Sequence, residues 1–268
     1  MLLAIDVGNT NTVFALHDGV RFVDEWRCNT ESVRTADQYF VWLSQLMSHK
    51  GLDPTVISEV VISNTAPATL FNLRVLCDRY FRARPLVVGK PECRLPIEVR
   101  VDPGTNVGAD RLVNTVAAFD RYGGELIVVD FGTATTLDVV AKDGAYIGGA
   151  IAPGVNLSLD ALHSAAAHLP RIDVTMPPQV LGRNTVHCMQ TGIYWGYVGL
   201  IEGIAQRISD ERGTKMRLIA TGGLSPLFAR GSEMIEAFDP DLTMHGLVLI
   251  HAYNQGAAAS SKKEQHGG

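Results

Sequence analysis

The sequence predicts an α/β protein built from two similar lobes, each a mixed sheet flanked by helices. Three observations carry that expectation. First, the chain repeats itself: residues 3–16 read LAIDVGNTNTVFAL and residues 127–140 read IVVDFGTATTLDVV, with Asp6 set against Asp130 and Gly8 against Gly132. Second, each copy opens a run of three strand-like segments that gives way to alternating helical and strand patterns, which implies a mixed sheet with helices on its faces. Third, 268 residues at 46% hydrophobic and 19% charged are ordinary globular composition and enough chain for two units of about 100–150 residues each.

In the first half, strands are expected at Leu2–Asp6, Thr12–His17 and Arg21–Cys28, with Asp18-Gly19 as a hairpin turn. A helix follows over Thr35–Lys50, with Phe40, Leu43 and Met47 at helical spacing. Val60–Ser63 reads as a buried strand and Ala66–Tyr80 as a helix with Pro67 in its first turn. Pro85–Val88 closes this half as a strand, and Ala109–Tyr122 is a helix with Leu112, Val116 and Phe119 inward. The second half repeats the scheme: strands at Leu126–Asp130, Thr135–Ala141 and Ala145–Gly149, with the turn Asp143-Gly144. Helices near Asn156–Ser164 and Thr185–Arg212, a strand at Arg217–Thr221, a short helix at Ser225–Arg230 and a last helix at Leu242–Asn254 complete it. The Pro-rich Met176–Gln179 is expected to be a surface loop. The lobes are expected at 1–120 and 121–255, and the Gly/Ala/Ser/Lys-rich 256–268 as a disordered tail.

Bulk properties narrow the partners. The net charge is −5 and no basic stripe is visible, which argues against nucleic acid or an anionic membrane. No apolar stretch approaches the roughly 20 residues of a membrane span, and the first residues read as a strand, with no basic n-region or cleavage site. Cys28, Cys77, Cys93 and Cys188 form no C-x-x-C pair and lack metal-ligand spacing, so they read as free thiols of a reducing, cytoplasmic protein.

Chemistry concentrates at three places. In Asp6-Val7-Gly8-Asn9-Thr10-Asn11, a carboxylate at a strand end beside a Gly turn can hold hydrated Mg²⁺, and the turn's N–H groups and amide side chains can hold phosphate oxygens. An ordinary Asx-turn hairpin would look the same. Asp130-Phe131-Gly132-Thr133-Ala134-Thr135-Thr136 offers side-chain oxygens suited to a hard cation or phosphate, although a Thr-rich strand also has good β propensity. Together the copies suggest two lobes facing a polyanion and its metal. In Gly108-Ala109-Asp110-Arg111, the carboxylate can accept a hydroxyl proton and the guanidinium can grip a carboxylate in bidentate fashion. A helix-start acid stabilised by the dipole is the plainer alternative. Thr221-Gly222-Gly223, between an expected strand and a helix, lets backbone approach a base or phosphate. P-loop and Rossmann fingerprints are absent. His163 and His168 lack helical metal-pair spacing, and Trp26, Trp42 and Trp195 read as core or interface.

DVGNTN near the start, GADR at 108–111, DFGTATT at 130–136, GGAIAPG at 148–154, GRNT at 182–185 and TGG at 221–223 occur in that order. The chain resembles the type III pantothenate kinases, of the acetate and sugar kinase/Hsc70/actin superfamily, over residues 1–254. The resemblance implies two duplicated ribonuclease-H-like lobes with an ATP cleft between them. It also implies transfer of phosphate from ATP to pantothenate, the first step of coenzyme A biosynthesis, with Mg²⁺ and a monovalent cation, K⁺ or NH₄⁺, in a homodimer. On that resemblance Asp110 is the catalytic base, and Gly108, Ala109, Arg111 and Thr185 bind pantothenate. Asp6, Gly8, Asn9, Thr10 and Asn11 serve phosphate and Mg²⁺. Asp130 belongs to the monovalent-cation site, and Gly132, Thr133, Thr135, Gly222 and Gly223 serve ATP. Two places depart from the family pattern: Val101 stands where many members carry Tyr, and Ser63–Pro67 matches Ser-Ser-Val-Val-Pro only loosely. Rival readings are a Bvg-accessory-factor-like regulator, another small-molecule kinase of the superfamily, and an actin-like assembly protein. GADR discriminates against the last, which needs no acceptor base beside a carboxylate-binding Arg.

Overall fold

A computed structural model describes residues 1–166 and 168–265, with side chains up to residue 256. The chain divides into two units. One comprises Met1–Ile97, Gly104–Ala117 and the chain from Thr243 onward; the other comprises Glu98–Pro103 and Ala118–Leu242. The lobes expected from sequence were contiguous stretches, whereas these units are not, because the last helix packs with the first sheet.

The first unit is built on β1 (Leu2–Val7), β2 (Asn11–His17), β3 (Phe22–Asn29), β4 (Glu59–Asn64) and β5 (Leu86–Val87), in the order β3-β2-β1-β4-β5. β1 runs antiparallel to β2 and parallel to β4. β2 is antiparallel to β3, and β4 is parallel to β5. Successive residues of a strand face opposite sides, and both sides are apolar here. Leu3, Ile5, Val7, Phe14 and Leu16 enter one core with Tyr39, Leu43 and Met47 of α1 (Ala36–His49) and Leu73 and Leu76 of α2 (Leu70–Leu76). Leu2, Ala4, Val13 and Ala15 enter another with Val113 and Val116 of α3 (Ala109–Tyr122) and Leu247 and Ile250 of α7 (Leu242–Gln265).

Helix α1 is fixed at its start by a capping box between Thr35 and Gln38. Its buried stripe is Tyr39, Leu43 and Met47; Phe40, expected inward, is only partly buried against that core. The helix expected over Ala66–Tyr80 is three pieces: a 3₁₀ turn at Pro67–Thr69, α2, and a π turn at Cys77–Phe81 that ends with Arg82 at φ 53°. The last helix exceeds its expected end at Asn254. The expected tail lies partly outside the described residues, which exclude side chains beyond 256 and residues 266–268 altogether. Helices α3 and α7 approach so closely at Gly246 that a Cβ there would lie 2.3 Å from the Val113 carbonyl oxygen. Thr243 Oγ1 donates to buried Asn114 Oδ1 at 2.7 Å across the same contact.

The second unit uses β6 (Leu126–Phe131), β7 (Ala134–Val140), β8 (Tyr146–Pro153), β9 (Arg217–Thr221) and β10 (Ile235–Phe238). Their order, β8-β7-β6-β9-β10, and the senses of pairing repeat those of the first sheet. α4 (Val155–Ala165), α5 (Thr185–Arg212) and α6 (Ser225–Ala229) complete it. One core joins Ile127, Val129, Phe131 and Leu137 to Tyr194, Tyr197 and Ile201 of α5 and to Phe228 of α6. Burial of side chains of this size is worth about 1.5–3 kcal/mol each. Strand β10 is absent from the sequence reading, and β8 runs to Pro153 rather than Gly149. Both hairpin turns read from sequence are present, with Gly19 at φ 104° and Gly144 at φ 85°.

The repeat in sequence is therefore a repeat of topology. Asp6 pairs with Val13 on β2 and Ser63 on β4; Asp130 pairs with Thr136 on β7 and Thr221 on β9. Each Asp sits at the same node of its sheet, one residue before the end of the central strand.

Candidate active site

In the first unit, the hairpin after Asp6 closes with Gly8 N–H donating to Asn11 O at 3.0 Å. The tip, Asn9 and Thr10, is exposed. Asp6 Oδ1 is buried without a hydrogen-bond partner, and so is the hydroxyl of Ser63 beside it in the ladder. Burial pushes the Asp6 carboxyl up to about 7; the nearby Ser63 hydroxyl opposes the rise, the Asp110 carboxylate adds to it, and Arg27 opposes it. A carboxylate so desolvated is stable in its charged form only beside a cation. The donor chemistry therefore fits a hard divalent ion completed by phosphate and water oxygens. Among the described residues no group of three His, Cys, Asp or Glu side chains could hold a metal by itself.

The second feature of this unit is the start of α3. Asp110 lies in the first helical turn, where the dipole favours a negative charge. Its Oδ1 accepts from the Arg111 backbone N–H at 2.8 Å. Burial raises its pKa above the ordinary carboxylate range, while that hydrogen bond and the Arg111 charge oppose the rise. Gly108 is what allows the geometry, since a Cβ there would stand 2.7 Å from Asp110 Oδ1. A cavity of about 290 Å³ opens beside this turn, lined by Asn64, Thr65, Lys90, Asn106, Gly108 and Ala109 among others.

In the second unit, Asp130, Gly132, Thr133 and Gly222 come together. Gly222 has φ 90°, and a Cβ on it would meet Asp130 Oδ1 at 2.5 Å and Phe131 N at 2.7 Å. A Cβ on Gly154 would lie 2.1 Å from Thr133 O and 2.7 Å from Gly132 O. Bare backbone thus presses on the second Asp/Gly turn from two sides. Thr133 is exposed at its tip, and Gly223 follows Gly222 with open space around it. Thr135 differs from its expected place. It is fully buried, and its Oγ1 has no hydrogen-bond partner, so it lies beneath the turn rather than on its open side.

The sequence alignment also slips by one residue past the turn. Gly8 faces Asn11 in the first hairpin, whereas Gly132 faces Ala134 in the second. The partner of Val7 is Thr12 and that of Phe131 is Thr135. Thr12, fully buried, is thus the counterpart of Thr135 and Asn11 that of Ala134, and the extra residue of the first turn lies in its tip, Asn9-Thr10.

Thr185 is the first residue of α5 and is exposed. The GRNT segment builds that helix start: Asn184 Oδ1 accepts from His187 N at 2.8 Å as the N-cap. A Cβ on Gly182 would lie 2.5 Å from Cys188 N. Residues missed as contributors are Ser63 and Thr65. Thr65 donates to Val7 O from both its N–H, at 2.9 Å, and its hydroxyl, at 3.0 Å. Their signal was positional: Ser63–Thr65 spans the end of β4 as Thr221–Gly223 spans the end of β9.

Comparison with known proteins agrees with the motifs. A family model described as type III pantothenate kinase matches residues 2–207. The type III pantothenate kinase of Dinoroseobacter shibae is 65% identical over 257 residues, covering 96% of this chain and 100% of that protein. Among solved structures, a Baf-family transcriptional activator from Campylobacter jejuni has a TM-score of 0.59 at 19% identity, covering 95% of this chain and 99% of that one. A 2-dehydro-3-deoxygalactonokinase from Sinorhizobium meliloti has a TM-score of 0.59 at 13% identity, covering 94% and 96%. At such identities these two structures show a shared fold.

Proposed function

The chain belongs to the type III pantothenate kinase family and phosphorylates pantothenate in coenzyme A biosynthesis; we propose that Asp110 is the base that makes the acceptor hydroxyl reactive. The observation that carries this is a carboxyl at a helix start, raised by burial and held by the Arg111 N–H. A base is most effective when its pKa approaches the working pH. Asp110 takes the proton of the primary hydroxyl as its oxygen attacks the γ-phosphorus of ATP in line. The bond from that phosphorus to the β–γ bridging oxygen breaks, and ADP leaves. Such transfer asks the protein mainly for positioning and charge neutralisation.

The remaining roles follow the two turns. Arg111 grips the pantothenate carboxylate, with Gly108, Ala109 and Thr185 around the acceptor. The turn Gly8–Asn11 offers N–H and amide groups to the transferred phosphate. Asp6 would hold Mg²⁺, which when bound neutralises charge on the phosphate oxygens. Gly132, Thr133, Gly222 and Gly223 line ATP through backbone, while Thr135 supports the turn from below. Asp130 would hold K⁺ or NH₄⁺, its carboxylate braced by the Gly222 backbone. A homodimer is supported by exposed Val180 and Leu181, at 62% and 73%, on the approach to α5; a solution mass of one chain would count against it. No described helix is long and apolar enough to cross a membrane. A cytoplasmic location, where ATP and K⁺ are plentiful, suits the reading.

The test is ATP-dependent formation of phosphopantothenate with K⁺, NH₄⁺ or Na⁺ as the only monovalent ion. Turnover with K⁺ or NH₄⁺ and little with Na⁺ is expected. No product under any of them would sink the reading, and equal rates in all three would remove the cation role of Asp130.

A further inference from the structure

We propose that Thr30 is the positioning residue that aims the first phosphate-binding turn, acting through the carbonyls of Gly8 and Thr10. It lies just past β3, touches no residue of the acceptor motif, and carries no chemistry of its own. Three contacts converge on it. Its N–H donates to Thr10 O at 2.9 Å, its hydroxyl donates to Gly8 O at 2.7 Å, and its Oγ1 lies 2.8 Å from Thr12 Oγ1.

The direction of that chain follows from counting protons. A hydroxyl has one to give, and Thr30 gives its proton to Gly8 O. Thr12, fully buried, must therefore donate to Thr30. Thr12 hydroxyl, Thr30 hydroxyl and Gly8 carbonyl thus form a directed relay whose members polarise one another. The peptide between Gly8 and Asn9 is planar and trans, so its C=O and N–H point opposite ways. Holding the Gly8 carbonyl toward Thr30 turns the Asn9 N–H to the other side, on an exposed tip. The Thr10 carbonyl is fixed as well, so the peptides that flank the tip, Gly8–Asn9 and Thr10–Asn11, are both held against flipping.

The duplicated fold supplies an internal comparison. Asn29 pairs with Asn11 and Pro153 with Ala134, so Thr30 and Gly154 occupy the same place after the third strand of each sheet. In the second unit that place is a glycine whose backbone touches the turn directly. In the first, with a turn one residue longer, the backbone N–H reaches the Thr10 carbonyl and the added hydroxyl reaches that of Gly8. The inference rests on the kinase reading and is tested within it.

The experiment compares Thr30→Val and Thr30→Ser with the wild-type enzyme. It uses steady-state kinetics in both substrates and equilibrium binding of a non-hydrolysable ATP analogue with Mg²⁺. Valine keeps the branched shape and removes the hydroxyl; serine keeps the hydroxyl. Thr30→Val should weaken analogue binding and raise KM for ATP by about 3- to 10-fold, the scale of one net hydrogen bond, with KM for pantothenate within twofold. Thr30→Ser should restore ATP binding to within about twofold of wild type. Equal analogue affinity in all three proteins, or equal losses in both variants, would overturn the proposal. Should Thr30→Val not fold, Thr12→Val removes the preceding donor, and an unchanged analogue affinity there would overturn it as well. Failure of the kinase reading would instead show as absent turnover in the wild type.

Discussion

Replacing Gly108 by Ala tests how tightly the proposed base is held. Gly108 is not in the left-handed region, so alanine is allowed by the backbone. The added Cβ would stand 2.7 Å from Asp110 Oδ1, with Arg111 Cδ at 3.7 Å. Ordinary contact begins near 3.4 Å, so the carboxylate must retreat by about 0.7 Å. That retreat stretches or breaks its 2.8 Å bond from the Arg111 N–H, a charge-assisted bond worth about 1.5–3 kcal/mol. Part of the loss is offset by the lower entropy of the unfolded alanine chain, about 0.4–1 kcal/mol. A net loss of stability of about 1–2 kcal/mol is expected. A displacement of 1 Å at a reacting centre can cost about 100-fold, so kcat should fall about 10- to 100-fold, with KM for ATP little changed. Kinetics in both substrates, with a denaturant melt as control for folding, measures this. A kcat within twofold of wild type in a folded variant would refute the argument that Gly108 fixes Asp110.

Further outcomes follow from the same geometry. Arg111→Lys should mainly raise KM for pantothenate, because a point charge cannot replace a planar fork; an unchanged KM would remove Arg111 from carboxylate recognition. Asp6 binds its proton more tightly folded than unfolded, so its contribution to stability is present below about pH 4 and is lost as pH rises toward 7. The loss is of order 4 kcal/mol from the displacement of its pKa. Without Mg²⁺ and ATP, Asp6→Asn should therefore melt higher than wild type at pH 8, converge with it near pH 4, and lose activity; a lower melting temperature at pH 8 would contradict the burial argument. Gly222→Ala forces a left-handed residue against Phe131 backbone and Asp130. It should destabilise the second unit by more than about 2 kcal/mol and abolish the K⁺ dependence of the rate. Gly246→Ala should cost about 1–3 kcal/mol by overpacking α7 on α3, read from a urea melt.

Much of this was legible because it is local. Asp6 and Asp130 before Gly turns, the helices Thr35–Lys50 and Thr185–Arg212 and the Asp-Gly hairpins depend on neighbours within a few residues. What was not legible depends on distant pairing. Helix α7 joins the first unit across more than 120 residues, packing Gly246 on Val113 of α3 and Leu247 and Ile250 into the core under β1. Strand β10 is only four residues long and is defined by its partner β9, not by its own pattern. The one-residue difference between the two turns is invisible to an ungapped alignment, which set Asn11 against Thr135 when Thr12 is its true counterpart. Ser63 stood only in a loose family match until β4 was placed beside Asp6.

The most direct test is the rate of phosphopantothenate formation by Asp110→Asn, measured by direct product detection beside the wild-type enzyme over a range of pH. The wild-type kcat/KM should rise through an acid limb centred above the usual carboxylate range. The variant should lose about 10²- to 10⁴-fold in kcat with KM for both substrates largely kept, and the acid limb should vanish with it. A variant that turns over at near the wild-type rate, or one that keeps the same acid limb, would contradict the assignment of Asp110 as the base.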